Sequence, residues 1–189
     1  MNILDQFRYS KDDPGQLNIT LKQSPYDKAE VGKSRNINNL LSNSVKVSEE
    51  IFPDINNAID NVFNKLKIKN NFIFFVTANH LDVQATCSAM PLGDTAEIIL
   101  TSKLIELLNT EELESIIAHE VAHFYYQHSL YPPISQAKTR LEQLNLLNFS
   151  RAAEISADRI GFVGSNNLEA SLRAMLKITS GLSDKHLKF

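Results

Sequence analysis

The sequence predicts an α+β domain: an amphipathic helix, a few strands, then helices to the end. Three observations carry this expectation. Apolar residues recur at helical spacing before residue 66 and again after residue 109. An aromatic and β-branched run occupies 72–77, and turn-forming residues separate two further strand-like stretches. The strands come as a group instead of alternating with helices, which favours a small mixed sheet over a repeating βαβ pattern.

Residues 1–45 read as a polar N-terminal segment, rich in Asn, Ser, Lys and Asp and broken at Pro14-Gly15 and Ser24-Pro25. Within it, Gln16 to Lys22 alternates in the manner of a strand. The segment is expected to be either a loosely docked tail or a cover lying across a cleft. The remaining residues, 46–189, form the domain. Ile51, Ile55, Ile59, Val62, Phe63 and Leu66 mark the first helix, from Ser48 or Pro53 to Leu66. Strands follow at Phe72 to Thr77, Val83 to Ala89 and Glu97 to Thr101, the last two joined by a turn at Pro91 to Asp94.

Asn109-Thr110 supplies capping side chains before Glu111, Glu112 and Glu114, so a helix should start there and run to about His128. Pro132-Pro133 breaks the chain. Ile134, Ala137, Leu141, Leu144 and Leu147 mark a further helix, followed by helices at Ser150 to Phe162 and Leu168 to Ile178.

Composition narrows the function classes without naming one. The 189 residues make about one domain, with 43% hydrophobic residues, as in an ordinary globular core. With 19 Lys plus Arg against 22 Asp plus Glu, the net charge of −3 argues against nucleic acid as a partner. One cysteine, Cys87, makes no internal disulfide, and no stretch reaches the roughly 18–20 apolar residues of a membrane span. Asp5 and Arg8 interrupt any signal-like apolar run, so a cytoplasmic location is expected.

The chemistry lies in Ile116-Ile117-Ala118-His119-Glu120-Val121-Ala122-His123, an HExxH pattern inside a helix. Residues four apart share a helix face, so His119 and His123 can hold one zinc ion between two neutral imidazoles. Glu120 is then placed to remove a proton from a water at the metal, the work of a general base. A catalytic zinc needs a third protein ligand and an open position. Glu154 and Asp158 stand four apart in the run Arg151 to Gly161. Beside Arg151 and Arg159 such a pair is ordinary solvated surface. Next to a two-histidine half-site, Glu154 becomes the expected third ligand, and Asp158 the acceptor of the free N–H of His119. His128 is explained as a charge near a helix C-terminus, and Cys87 as a strand residue.

HExxH followed about 30 residues later by Glu-x-x-Ala-Asp, here Glu154 to Asp158, resembles the M48 family of gluzincin metalloendopeptidases. The resemblance spans roughly residues 45–180 and implies a zincin-like fold, with the active-site helix beneath a substrate strand and a helical second half. It implies one zinc ion per chain held by His119, His123 and Glu154, with Glu120 as catalytic base. It also implies a polypeptide substrate added as a strand along Ala85, Thr86, Cys87, Ser88 and Ala89. This chain departs from better-known members in lacking membrane helices, so it resembles a compact member. The implied function is hydrolysis of internal peptide bonds. The alternative is a non-catalytic or latent binding module of the same shape, in which an intact Glu120 would serve no purpose.

Overall fold

The computed structural model describes residues 2–13, 15, 43–69, 72–78, 82–89, 95–128 and 131–188. The elements are α1 (Ile3–Phe7), β1 (Ser44–Lys46), α2 (Pro53–Leu66), β2 (Phe72–Thr77), β3 (Ala85–Ala89), β4 (Ala96–Thr101), α3 (Ser102–Leu107), α4 (Thr110–Tyr125), α5 (Arg140–Ser165) and α6 (Leu168–Ser180). Helices and a small mixed sheet make an α+β fold. The proposed strand at 16–22 and the turn at 91–94 lie outside the described residues.

The sheet runs in the order β1-β2-β4-β3. β2 and β4 pair in parallel, with Phe74 opposite Ile98, while β1 and β3 are antiparallel to their neighbours. β4 is buried along its whole length, as its run Ala-Glu-Ile-Ile-Leu-Thr requires of an inner strand. β3 forms an edge of the sheet as described, and this edge passes over α4.

α4 sits at the centre of the fold, in contact with α2, α5, α6 and β3. From α2 it meets Ile55, Ala58, Ile59, Val62, Phe63 and Leu66, one apolar helical face buried in the shared core. Its own start is fixed by a capping box: the Asn109 side chain accepts from the Glu112 N–H, and Glu112 accepts from the Asn109 N–H, both at 2.9 Å. Glu112 is fully buried and also takes a hydrogen bond from Lys177 Nζ at 2.7 Å, which fastens α6 to the start of α4. Glu114, also buried, accepts from Asn61 at 2.8 Å and Lys65 at 2.7 Å, and so ties α4 to α2. The acids expected at this helix N-terminus therefore have partners inside the molecule, beyond any interaction with the helix dipole.

Several boundaries differ from the sequence expectation, most of all in the helices. β3 starts at Ala85 and β4 at Ala96, and the last two helices run on to Ser165 and Ser180. α4 ends at Tyr125, because Gln127 takes a left-handed conformation (φ 59°) and turns the chain before His128. The helices expected around 134–147 and 150–162 are one helix, α5, of 26 residues. Asn148, Phe149 and Ser150 contain neither Gly nor Pro, so nothing interrupts the backbone hydrogen bonds there. The helix starts at Arg140 with Thr139 as its cap, while Ile134–Gln136 forms a separate 3-10 turn. Leu141 and Leu144, which mark that helix in the sequence, are exposed, while Leu146 and Phe149 are buried.

Residues 2–13 lie against the far end of α4. Leu4 is fully buried, its carbonyl accepts from the Tyr126 hydroxyl at 2.5 Å, and the Tyr9 N–H donates to Ser156 on α5 at 2.9 Å.

α5 approaches α4 closely because of two glycines. A Cβ at Gly161 would stand 2.9 Å from the Ser115 carbonyl oxygen, and one at Gly164 would run into the Ala118 methyl. Gly164→Ala is expected to destabilise the fold by about 1–3 kcal/mol through overpacking. Urea unfolding measures this, and an unshifted midpoint would contradict the close contact.

Candidate metal centre

His119 and His123 lie one turn apart on α4, and Glu154 reaches them from the facing side of α5. The Nε2 atoms of the two histidines are 3.0 Å apart. Glu154 Oε2 lies 3.4 Å from His119 Nε2 and 3.7 Å from His123 Nε2. Tetrahedral ligands with bonds of roughly 2.0–2.1 Å stand about 3.3 Å from one another. The three separations bracket that value, so the residues fit a zinc ion.

The opposite ring nitrogens have other partners. His119 Nδ1 is 3.0 Å from Asp158 Oδ1, and His123 Nδ1 is 2.8 Å from His128 Nδ1. Each ring is therefore held from behind, with Nε2 turned to the common point. Two imidazole lone pairs and a carboxylate oxygen converging this closely repel one another unless a cation or a proton lies between them.

The electrostatics agree with a site built for positive charge. Burial opposes protonation of His119, yet the hydrogen bonds to Asp158 and Glu154 outweigh it and push the imidazole up to about 10. The two imidazoles beside it, at 3.4 and 3.7 Å, hold the Glu154 carboxyl far below the usual carboxylate range. Glu120, beside them, is pushed up by burial, against the opposing influence of the two histidines and the Cys87 N–H.

Two pockets, of about 370 and 570 Å³, flank this cluster and share Ala85, His119, Glu120 and Glu154 in their walls. Ile116, Gly161, Met175 and Ile178 line the first, and Tyr131, Pro133 and Phe149 the second. Together they form a cleft running over Glu120 alongside β3. None of residues 2–13 lines either pocket.

His119, Glu120, His123, Glu154 and Asp158 thus come together as the spacing suggested. Of the proposed strand, Ala85, Thr86 and Cys87 line the cleft. Cys87 lies outside the ligand cluster, and burial, with the charges of Glu120 and Glu97, pushes its thiol up to about 12. Tyr125 and Tyr126 bond to the N-terminal segment, so of the tyrosines near the motif only Tyr131 faces the cleft. Arg173 is engaged by Glu112 and Asp184, away from the cluster. Two groups escaped sequence reasoning. His128 bonds to His123 instead of acting as a charge at a helix end, and Asp12, from the polar segment, bonds to His128. The spacing of His128, five residues past the motif, was the available signal; Asp12 gave none.

The chain was compared with known proteins. The model of peptidase family M48 matches residues 50–143, a stretch that includes His119, Glu120 and His123 and ends before Glu154. The plastoglobule-localized metallopeptidase 48, chloroplastic, of Arabidopsis thaliana is 25% identical over 103 residues, covering 47% of this chain and 30% of the relative. This chain therefore spans less than a third of that relative's length. No solved structure matches. With the motif inside the matched stretch and a relative carrying the same family designation, the chain belongs to peptidase family M48.

Proposed function

We propose that the chain is a zinc metalloendopeptidase of zincin-like fold that cleaves internal peptide bonds in polypeptides. One observation carries the reading: His119, His123 and Glu154 converge on one point beside Glu120, in a cleft bordered by an edge strand. His119, His123 and Glu154 would hold the ion. Zinc bound there supplies a Lewis acid that polarises a carbonyl and makes water acidic enough to deprotonate near neutral pH.

The chain's own groups do the rest. Asp158 accepts the Nδ1 proton of His119 and so leaves its Nε2 lone pair for the metal. β3 offers backbone groups to an extended peptide, which sets the scissile bond over Glu120. The Glu120 carboxylate takes a proton from the attacking water and delivers it to the departing amine nitrogen. Its partial burial helps here, since a carboxyl raised toward neutrality both accepts and returns a proton readily. No described helix is long and apolar enough to cross a membrane.

Cleavage of a reduced, unfolded protein, followed by mass spectrometry, tests this reading. A zinc chelator should abolish cleavage and added zinc should restore it. Cleavage that ignores the chelator would refute the metal chemistry. No cleavage by the zinc-loaded chain would favour the binding-module alternative.

A further inference from the structure

Asp12 is almost wholly buried, with a side chain that solvent does not reach, although it comes from a segment whose composition is polar. A carboxylate there needs a reason and partners. Its oxygens face His128 Nε2 at 3.1 and 3.2 Å, and Arg8 Nε donates to one of them at 3.2 Å. Burial opposes its charge, but hydrogen bonds from His128, Ser156 and Arg8 outweigh that and hold the carboxyl below its ordinary range. Asp12 is therefore an acceptor only.

The protons along the line then follow one from another. Facing an acceptor, His128 must carry its proton on Nε2. Two Nδ1 atoms 2.8 Å apart share one proton; with His123 ligating through Nε2 that proton is its own, so His128 Nδ1 is bare and accepts. His123 Nδ1 is the donor, and its Nε2, the atom that faces His119 and Glu154, carries no proton. Reversing any one of these bonds places a hydrogen where the metal would sit. His119 has the same orientation set directly by Asp158; His123 has it set through one intervening ring.

We propose that Asp12 is a positioning residue of the metal site, acting through His128 to fix the tautomer and ring orientation of His123. This rests on the metal reading above and adds that the N-terminal segment is part of the site. Arg8, stacked over the Tyr126 ring at 5.0 Å, and the bonds of Leu4 and Tyr9 hold Asp12 in place. Removing residues 1–13 should therefore weaken zinc binding, the opposite of what loss of an occluding tail would do.

Zinc affinity, measured by competition with a chromophoric chelator, reads the effect without any peptidase assay. Asp12→Asn keeps the shape but offers His128 either an oxygen or an amide N–H, so the proton order is no longer imposed. Its zinc affinity should fall about 10-fold, the low end for loss of a ligand's supporting partner. His128→Leu should fall at least as far. His128→Gln should recover most of the loss, because its amide oxygen can accept from His123 while its amide N–H donates to Asp12. Nitrogen-15 NMR of the zinc-loaded wild-type chain should show His128 as a neutral ring protonated at Nε2, and this needs no variant to fold. Wild-type affinity in Asp12→Asn, no recovery in His128→Gln, or a His128 ring carrying its proton on Nδ1 would each overturn the proposal while leaving the metal reading intact. A wild-type chain that binds no zinc overturns both.

Discussion

Glu120→Gln is expected to lower kcat for peptide hydrolysis by roughly 10²–10⁴-fold, the range typical of losing a general base or acid. Zinc content should stay at the wild-type level. The substitution isolates proton transfer unusually well at this position. Gln has the same shape, and its amide oxygen can still accept from the Cys87 N–H that now meets the Glu120 carboxylate. It makes no contact that the metal ligands depend on: His119 is braced by Asp158, and His123 by His128. The backbone of β3 and both pockets are untouched, so KM should change little while kcat falls. Steady-state kinetics on an internally quenched peptide, with metal analysis of the same sample, gives both quantities. Full activity in this variant would remove Glu120 as the base. A parallel loss of zinc would instead mean that Glu120 helps to hold the metal.

What the sequence revealed, and what it hid, divides by distance along the chain. The pairing of His119 with His123 is set by helix periodicity, and that of Glu154 with Asp158 by the same rule. α4 announces itself through Asn109, the acids after it and the apolar positions that follow. That α5 faces α4 is less direct, because it requires the two glycines, Gly161 and Gly164, to be recognised as points of close approach. Leu141 and Leu144 fit an apolar face by spacing, whereas burial there falls to Leu146 and Phe149. Periodicity gives a face, and only the tertiary neighbours decide which face is inward. Asp12 lay beyond reach altogether. Its contact with His128 spans 116 positions, and composition assigns a lone aspartate among polar residues to the surface. The edge position of β3 falls between these cases. Strand character was visible in Ala85 to Ala89, but the strand order depends on β4 inserting between β2 and β3.

His119→Ala is expected to abolish stoichiometric zinc binding, and Glu154→Ala to weaken it more than any change outside the ligand set. His119 loses most because two contacts go together: its Nε2 leaves the convergent point, and Asp158 loses the ring that it orients. Asp158→Asn supplies the graded comparison. It leaves all three ligand atoms and removes only the charge behind His119, for which a loss of about 10–100-fold in affinity is usual. The order His119→Ala, then Glu154→Ala, then Asp158→Asn therefore follows from the geometry. Thermal unfolding with and without zinc measures it independently of peptidase activity. An ion that binds only the folded chain stabilises it by about 2.7 kcal/mol at a hundredfold excess over Kd. The wild-type melting temperature should thus rise on adding zinc, that of Asp158→Asn should rise less at the same concentration, and that of His119→Ala should not move. Metal-free melting temperatures serve as the control for folding. They should change little in Glu154→Ala, whose side chain is more than half exposed at 56% and meets the two histidines at 3.4 and 3.7 Å. Zinc content and melting shift in His119→Ala equal to wild type would show that the ion, if bound, is held elsewhere. The convergence of the two Nε2 atoms with the Glu154 carboxylate would then need a proton, not a metal, to explain it.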